Sequence, residues 1–273
     1  MLRRLGGCAM IVIALFFLVV IAKGIFTLPR TQEQLKEAAF IEDGVVRPEN
    51  EGRLVIVLST LEAAENARDD ELGLTLPSPI AIRYVEKFVV RDDGEDWVKA
   101  WDPIDEFSTD WLKRRPLFGR ASLGDFEVAE ELLRSFPCGR ELSPSLLDPE
   151  ELATLEDYVD ALTVNGVFYL SEAPQACFTD GRASELYFDY EGLRRVHYRY
   201  LDLQPGDTFA VVGLQKGNRL VKDPDLDTNP VFTSARSRSD VIRQNSLFTI
   251  LGMALVGIVC ILLIVFGIRR VIE

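Results

Sequence analysis

Two uncharged apolar runs, one near each end of the chain, limit its folding choices more than any other feature. The first is Leu5 to Ala22 (LGGCAMIVIALFFLVVIA) and the second is Leu247 to Ile268. At the α-helical rise they reach about 27 Å and about 33 Å, against a hydrocarbon thickness of about 30 Å. Lipid satisfies no backbone polar group, so each run predicts a membrane-crossing helix. Lys23 can snorkel, which lets the first span extend to Leu28. Arg269 and Arg270 end the second abruptly. A cleavable signal peptide is the rival reading of the first run. Its apolar stretch exceeds the usual length, and Ala22-Lys23-Gly24 is a poor cleavage site, so we read it as retained. The terminal pairs Arg3/Arg4 and Arg269/Arg270 favour the cytoplasmic side and place the middle of the chain outside.

This gives three parts: an N-terminal transmembrane helix over 1–28, an extracytoplasmic domain over 29–245, and a C-terminal transmembrane helix with a short basic tail over 246–273. Hydrophobic patterning makes the middle a β-rich mixed domain, so the fold class is α+β with two flanking transmembrane helices. Thr31-Gln32-Glu33-Gln34 has the form of a capping box opening a short helix to Phe40. Strands are expected over Gly52 to Thr60, Ile80 to Val90, Gly166 to Leu170, Arg195 to Tyr200, Thr208 to Leu214 and Arg219 to Val221. Trp97 and Trp101 begin the return strand of a hairpin turned at Asp92-Asp93-Gly94. Helices are expected over Val128 to Ser135 and from the Asp148-Pro149-Glu150-Glu151 start to Leu162. No repeat or linker divides the region, so one compact unit of about 215 residues is expected.

The chemistry-bearing residues are sparse. The chain holds one histidine and four cysteines, which argues against a Cys/His zinc cluster. Acidic side chains outnumber basic ones by 43 to 30, so a basic nucleic-acid groove is not expected. His197 shares a strand face with Arg195 and Arg199, and no G-x-S-x-G, H-E-x-x-H, C-x-x-C, Walker loop or G-x-G-x-x-G accompanies it. Asp223, Asp225, Asp227 and Asn229 match the start of a calcium loop, but Thr228 and Ser234 stand where glycine and glutamate belong. Glu130-Glu131 and Glu150-Glu151 suit helix beginnings, where negative charge complements the dipole. Cys138 and Cys177 are either a disulfide or two separate buried thiols. No catalytic, cofactor-binding or metal-binding residue is assigned, and no cofactor is expected.

From Arg47 onward the sequence resembles a known family. Asn50-Glu51-Gly52-Arg53-Leu54-Val55 is similar to the N-E-G-[RK]-L-V signature of the transmembrane protein 43 (LUMA) family. Asp69-Asp70-Glu71-Leu72-Gly73 and Arg83-Tyr84-Val85-Glu86 resemble its D-x-x-[FYL]-G segment and its R-x-V-E strand. Ala121 to Phe126 resembles its short strand before a helix, and Val211 to Leu220 resembles its V-I-A-x-Q-[RK]-G-[DN]-x-L hairpin. The likeness covers most of residues 45–222. It implies an N-terminal span, a large lumenal domain, C-terminal spans, membrane scaffolding and self-association, with lamin and emerin partners at the inner nuclear membrane in eukaryotes. Eukaryotic members carry several C-terminal spans where one is read here, which fits a bacterial relative better. The expected function is therefore a non-enzymatic integral membrane protein, a scaffold or protein-interaction module with an acidic outer domain. The alternative is an envelope hydrolase or small-molecule sensor with an unrecognised carboxylate site. Expected partners are the lipid bilayer, other membrane or envelope proteins and further copies of the chain, with no nucleic acid. In a bacterium the location would be the inner membrane, with the large domain in the periplasm.

Overall fold

A computed structural model describes residues 2–92, 97–155, 162–164, 167–170, 194–226 and 228–272. It is mixed α+β and rich in strands. Helix α1 (Leu2–Glu37) leads into β1 (Ala39–Ile41) and the long β2 (Leu54–Glu65). The short β3 (Arg68–Asp69) and β4 (Leu74–Thr75) precede β5 (Ile80–Asp92), β6 (Trp97–Pro103), β7 (Arg115–Phe118), β8 (Arg120–Leu123) and β9 (Phe126–Val128). Helix α2 (Glu130–Leu133), β10 (Arg140–Glu141), α3 (Pro149–Leu155), β11 (Leu162–Val164), β12 (Val167–Leu170) and β13 (Arg194–Tyr200) follow. Strands β14 (Thr208–Lys216), β15 (Arg219–Val221) and β16 (Val231–Phe232) then lead to α4 (Arg238–Ile272).

Where the sequence suggests one middle unit, the chain divides into two compact ones: Met1–Thr60 with Thr208–Glu273, and Leu61–Asp207. The boundary falls inside the continuous strand β2, so no Pro- or Gly-rich linker marks it.

In the first unit, β2 pairs in parallel with β1 and antiparallel with β14, in a register from Thr208↔Thr60 to Leu214↔Leu54. The run Val55-Ile56-Val57 is wholly buried, as a β-branched stretch without polar alternation implies. Helices α1 and α4 lie side by side and antiparallel. Arg238 donates to the Lys36 carbonyl at 3.1 Å, Gln32 Nε2 donates to Ser246 Oγ at 2.7 Å, and the Cys260 thiol meets the Ala14 carbonyl at 3.6 Å. Ala14 and Cys260 are both buried there, since small side chains let helix backbones approach closely. By contrast Val12, Phe16, Val19, Leu251, Leu255, Ile258 and Ile261 face outward and are exposed. Among the described residues one helix, spanning Arg238–Arg270, is long and apolar enough to cross a membrane.

The sequence places a helix break between Leu28 and Thr31, but α1 runs through Pro29 to Glu37. Leu35 and Ala38 bury themselves in an apolar cluster with Ile56, Val212 and Val241, and this packing overrides the proline.

In the second unit, β5 is the central strand. It pairs with β13 on one edge, and with β6 and β7 in turn on the other. Residues Leu61 to Glu65 of β2 pair with β8, with an irregularity between Ala63 and Glu65. A core of Leu74, Leu76, Val85, Leu112, Leu117 and Val196 fills the unit. The expected hairpin turn at Asp93-Gly94 and the expected helix beyond Leu155 lie outside the described residues, as does Gly166. Helix α2 is four residues, shorter than the Val128 to Ser135 expected, because β9 takes Val128.

Candidate functional site

The strongest concentration of buried charge lies in the second unit, where β3, β5 and β13 bring Asp69, Arg83 and Tyr198 together. All three side chains are fully buried. Arg83 donates from Nη1 to Asp69 Oδ1 at 2.6 Å and to Glu71 Oε2 at 3.0 Å, and from Nε to the Lys113 carbonyl at 3.0 Å. The Tyr198 hydroxyl donates to Asp69 Oδ2 at 2.7 Å, and Arg115 donates to Glu71 Oε1 at 2.8 Å. A buried guanidinium needs such a set, because an unpaired charge in low dielectric is strongly unfavourable.

Burial raises the Asp69 carboxyl above the usual carboxylate range, while Arg83 and the Tyr198 hydroxyl pull against it. Burial also acts on Glu71, but Arg83 and Arg115 outweigh it and its carboxyl sits below its ordinary value. Burial and the neighbouring Asp69 push the Tyr198 hydroxyl well above its ordinary range, so it remains a donor. Asp69 and Glu71 each meet a guanidinium, and the contacts link β3, β5 and β13.

On the other face of β5 and β13, the Tyr84 and His197 rings stack with centroids 5.0 Å apart and an interplanar angle of 5°. Arg199 and Arg114 lie over Tyr84 at 5.5 Å and 5.1 Å, and Arg195 pairs with Glu86. His197 shares this face with Arg195 and Arg199, as strand alternation predicts, and its side chain is partly exposed. Burial keeps its imidazole below the ordinary value; Arg199 and Arg195 add to this, while Glu86 and Glu141 oppose it. Protonation therefore favours the unfolded chain. Stability should fall as pH drops below about 6.5, level off below the depressed value, and show no His197 contribution above about 7.5. A His197→Phe chain, followed by urea midpoint from pH 5 to 8, should lose that slope; superimposable profiles would refute it.

A groove of about 470 Å³ opens beside the buried network. Its lining includes Arg68, Glu71, Glu106, Arg115 and Arg134. Opposite charges pair along its lining: Arg115 with Glu71, Arg68 with Asp70 at 3.4 Å, and Arg134 with Glu130 at 3.8 Å.

The other residues singled out in the sequence stay apart from this network. Asp223 accepts the backbone N–H of Asp225 at 2.9 Å, closing a local turn, and Asp227 lies outside the described residues. No group of three His, Cys, Asp or Glu side chains among the described residues is placed to hold a metal. Asp148 caps α3 as expected, accepting from Glu150 N at 2.9 Å. Glu151 does more than complement the dipole: it accepts from Thr75 N at 2.6 Å and Thr75 Oγ1 at 2.7 Å, fastening α3 to β4. Cys138 is a free thiol that burial pushes up to about 11, and Cys177 lies outside the described residues.

Compared with known proteins, the chain is 28% identical over 200 residues to a curated protein of rat, and matches its mouse and human counterparts to the same extent. All three are transmembrane protein 43. This chain is similar to it. The match covers 64% of this chain and 48% of each relative, so the chain spans about half the length of the curated relatives it matches. No family model matches, and no solved structure does.

The segments that carry the likeness to transmembrane protein 43 explain themselves physically. Asp69 to Gly73 and Arg83 to Glu86 supply the buried ion network. In the first unit, Gly52 takes a φ of +70°, a left-handed conformation suited to glycine, and donates its N–H to the Gln215 carbonyl at 2.8 Å. Gln215 returns bonds to the Arg53 carbonyl at 3.1 Å and, through its side chain, to the Arg47 carbonyl at 2.7 Å. Gly217 N donates to Glu51 at 2.8 Å. The Asn50–Val55 signature and the Gln215–Leu220 hairpin are thus two halves of one clasp.

Proposed function

We propose that this chain is a non-enzymatic, two-span membrane protein whose acidic domain lies outside the cytoplasm and binds other membrane proteins or further copies of itself. The observation that carries the two spans is the α1–α4 register. Ala14 sits beside Cys260, so the uncharged runs 5–22 and 247–268 lie alongside one another. Counting helical rise from that contact, Arg3, Arg4, Arg269 and Arg270 gather at one end, about 15 Å away. Antiparallel helices with matched apolar lengths and basic residues at a shared end fit one bilayer, with both termini cytoplasmic.

The interaction role is supported by the likeness to transmembrane protein 43 and by the spending of the buried ionisable groups on strand-to-strand locks. Reconstituted protein should resist alkaline carbonate, and protease added to sealed right-side-out cells should reach the middle domain but neither terminus. Release by carbonate, or cleavage at a terminus, would sink the two-span reading. Crosslinking in native membranes should recover adducts; a strictly monomeric chain with none would remove the interaction role.

The charged groove favours the second reading, an envelope hydrolase or small-molecule sensor. That reading requires a ligand whose turnover or binding is abolished by Glu106→Gln.

A further inference from the structure

The charged groove of the second unit does not balance its own charges. The three ion pairs along its lining account for Arg68, Arg115 and Arg134 with their carboxylates. Lys113, Arg114 and Glu106 remain in the lining, and none of them forms an ion pair with another described residue. The groove thus keeps two positive charges and one negative, in a chain whose net charge is -13.

The backbone around these three residues is fixed. The Lys113 carbonyl accepts from the buried Arg83 Nε at 3.0 Å. Lys113 Nζ donates to the Ser108 carbonyl at 2.9 Å, a contact that leaves its charge unneutralised. Arg114 N donates to the Ile104 carbonyl at 2.9 Å, and Arg115 pairs in register with Arg83 across β7 and β5. The Arg114 guanidinium lies 5.1 Å from the centre of the Tyr84 ring, which itself stacks on His197. An aromatic ring steadies a cation without cancelling its charge. Glu106 belongs to the same loop, beside buried Ile104 and within the turn that Ser108 N closes on the Asp105 carbonyl at 3.1 Å.

Water satisfies a lone exposed charge. Three charges of mixed sign, fixed around one groove of about 470 Å³, favour a solute that brings the opposite signs together. That volume suits a small molecule, and Pro116, Leu117 and Phe118 give the lining an apolar stretch for a short carbon chain. A simple anion would meet Glu106 with like charge, and a simple cation would meet Lys113 and Arg114. A neutral solute would leave all three unmatched.

We infer that the groove binds an amino-dicarboxylic acid, its two carboxylates taken by Arg114 and Lys113 and its ammonium by Glu106. This gives the small-molecule sensor named above its ligand class and rests on that reading.

The test titrates the full chain in detergent micelles with three probes, read by saturation-transfer NMR: L-glutamate, glutarate, which lacks the ammonium, and 4-aminobutyrate, which lacks one carboxylate. L-Glutamate should bind at least about fivefold more tightly than either, the discrimination one exposed ion pair supplies. Glu106→Gln should weaken L-glutamate and 4-aminobutyrate but not glutarate, and Arg114→Gln should weaken L-glutamate and glutarate more than 4-aminobutyrate. Both side chains are exposed, so unchanged urea midpoints are expected of the two variants. Glutarate binding as tightly as L-glutamate would make the groove a plain anion site and overturn the inference. So would 4-aminobutyrate matching L-glutamate, an equal loss of all three probes in either variant, or no saturable binding of L-glutamate. The groove reading itself falls only where no bound solute responds to Glu106→Gln, so the two fail separately.

Discussion

Replacing Arg83 by leucine should destabilise the second unit by about 3–5 kcal/mol, because Asp69 is then left buried without its cation. The Tyr198 hydroxyl remains, but one hydrogen bond cannot offset the desolvation of a carboxylate with no exposed surface. The double substitution Asp69→Leu with Arg83→Leu should recover much of the loss, since apolar replacement of a whole buried pair is often close to neutral. Glu71 loses a partner too, yet it is partly exposed and keeps Arg115. All three tryptophans fall between Leu61 and Asp207, so their fluorescence during urea unfolding reports on this unit. A double variant no more stable than Arg83→Leu alone would show that the pair does not act as a unit.

Gly119→Ala should be nearly as damaging, for a steric reason. A Cβ at this position would lie 2.0 Å from the Glu65 carbonyl oxygen and 2.5 Å from the Asn66 carbonyl carbon. Both are backbone atoms, so relief requires moving the strand end beside the β2 irregularity rather than turning a side chain. We expect a loss of about 3 kcal/mol, at the upper end of overpacking effects. Gly139→Ala is the matched control: nothing lies within 4 Å of its Cβ, and it should change stability by less than about 0.5 kcal/mol. Similar urea midpoints for the two variants would disprove the close approach.

The elements legible in the sequence are those whose hydrophobic pattern is local and long. β5, β13 and β14 appear close to their expected limits because β-branched and aromatic residues alternate or cluster along each of them. The strands β1, β3, β4, β7, β8, β10 and β16, of two to four residues each, carry too little pattern to register, and partners distant in sequence define them. The resemblance alone pointed to the Ala121 segment, part of β8.

The buried network was hidden for a different reason. Asp69, Arg83 and Tyr198 look like ordinary polar positions until β13 pairs with β5 and sets Tyr198 opposite Arg83. The signal was present in the Arg83-Tyr84-Val85-Glu86 strand, where alternation places Arg83 on the face of buried Val85. A charge at an inward position demands a counter-charge, and that could have been asked of the sequence. Glu151 gave no such clue, because its position after Asp148-Pro149 is already accounted for by helix capping. The overridden break at Pro29 is a tertiary effect, unreadable before Leu35 meets Val241.

The first unit is stitched from the two ends of the chain, and this dictates an order of assembly during synthesis. β2 leaves the ribosome about 150 residues before β14, its antiparallel neighbour. Until then the buried face of Val55 to Val57 has no cover from that side, while the intervening segment can already close its own core. A nascent polypeptide halted between Thr60 and Thr208 would thus present a half-built sheet to chaperones and proteases, making the synthesis of the second unit the vulnerable interval.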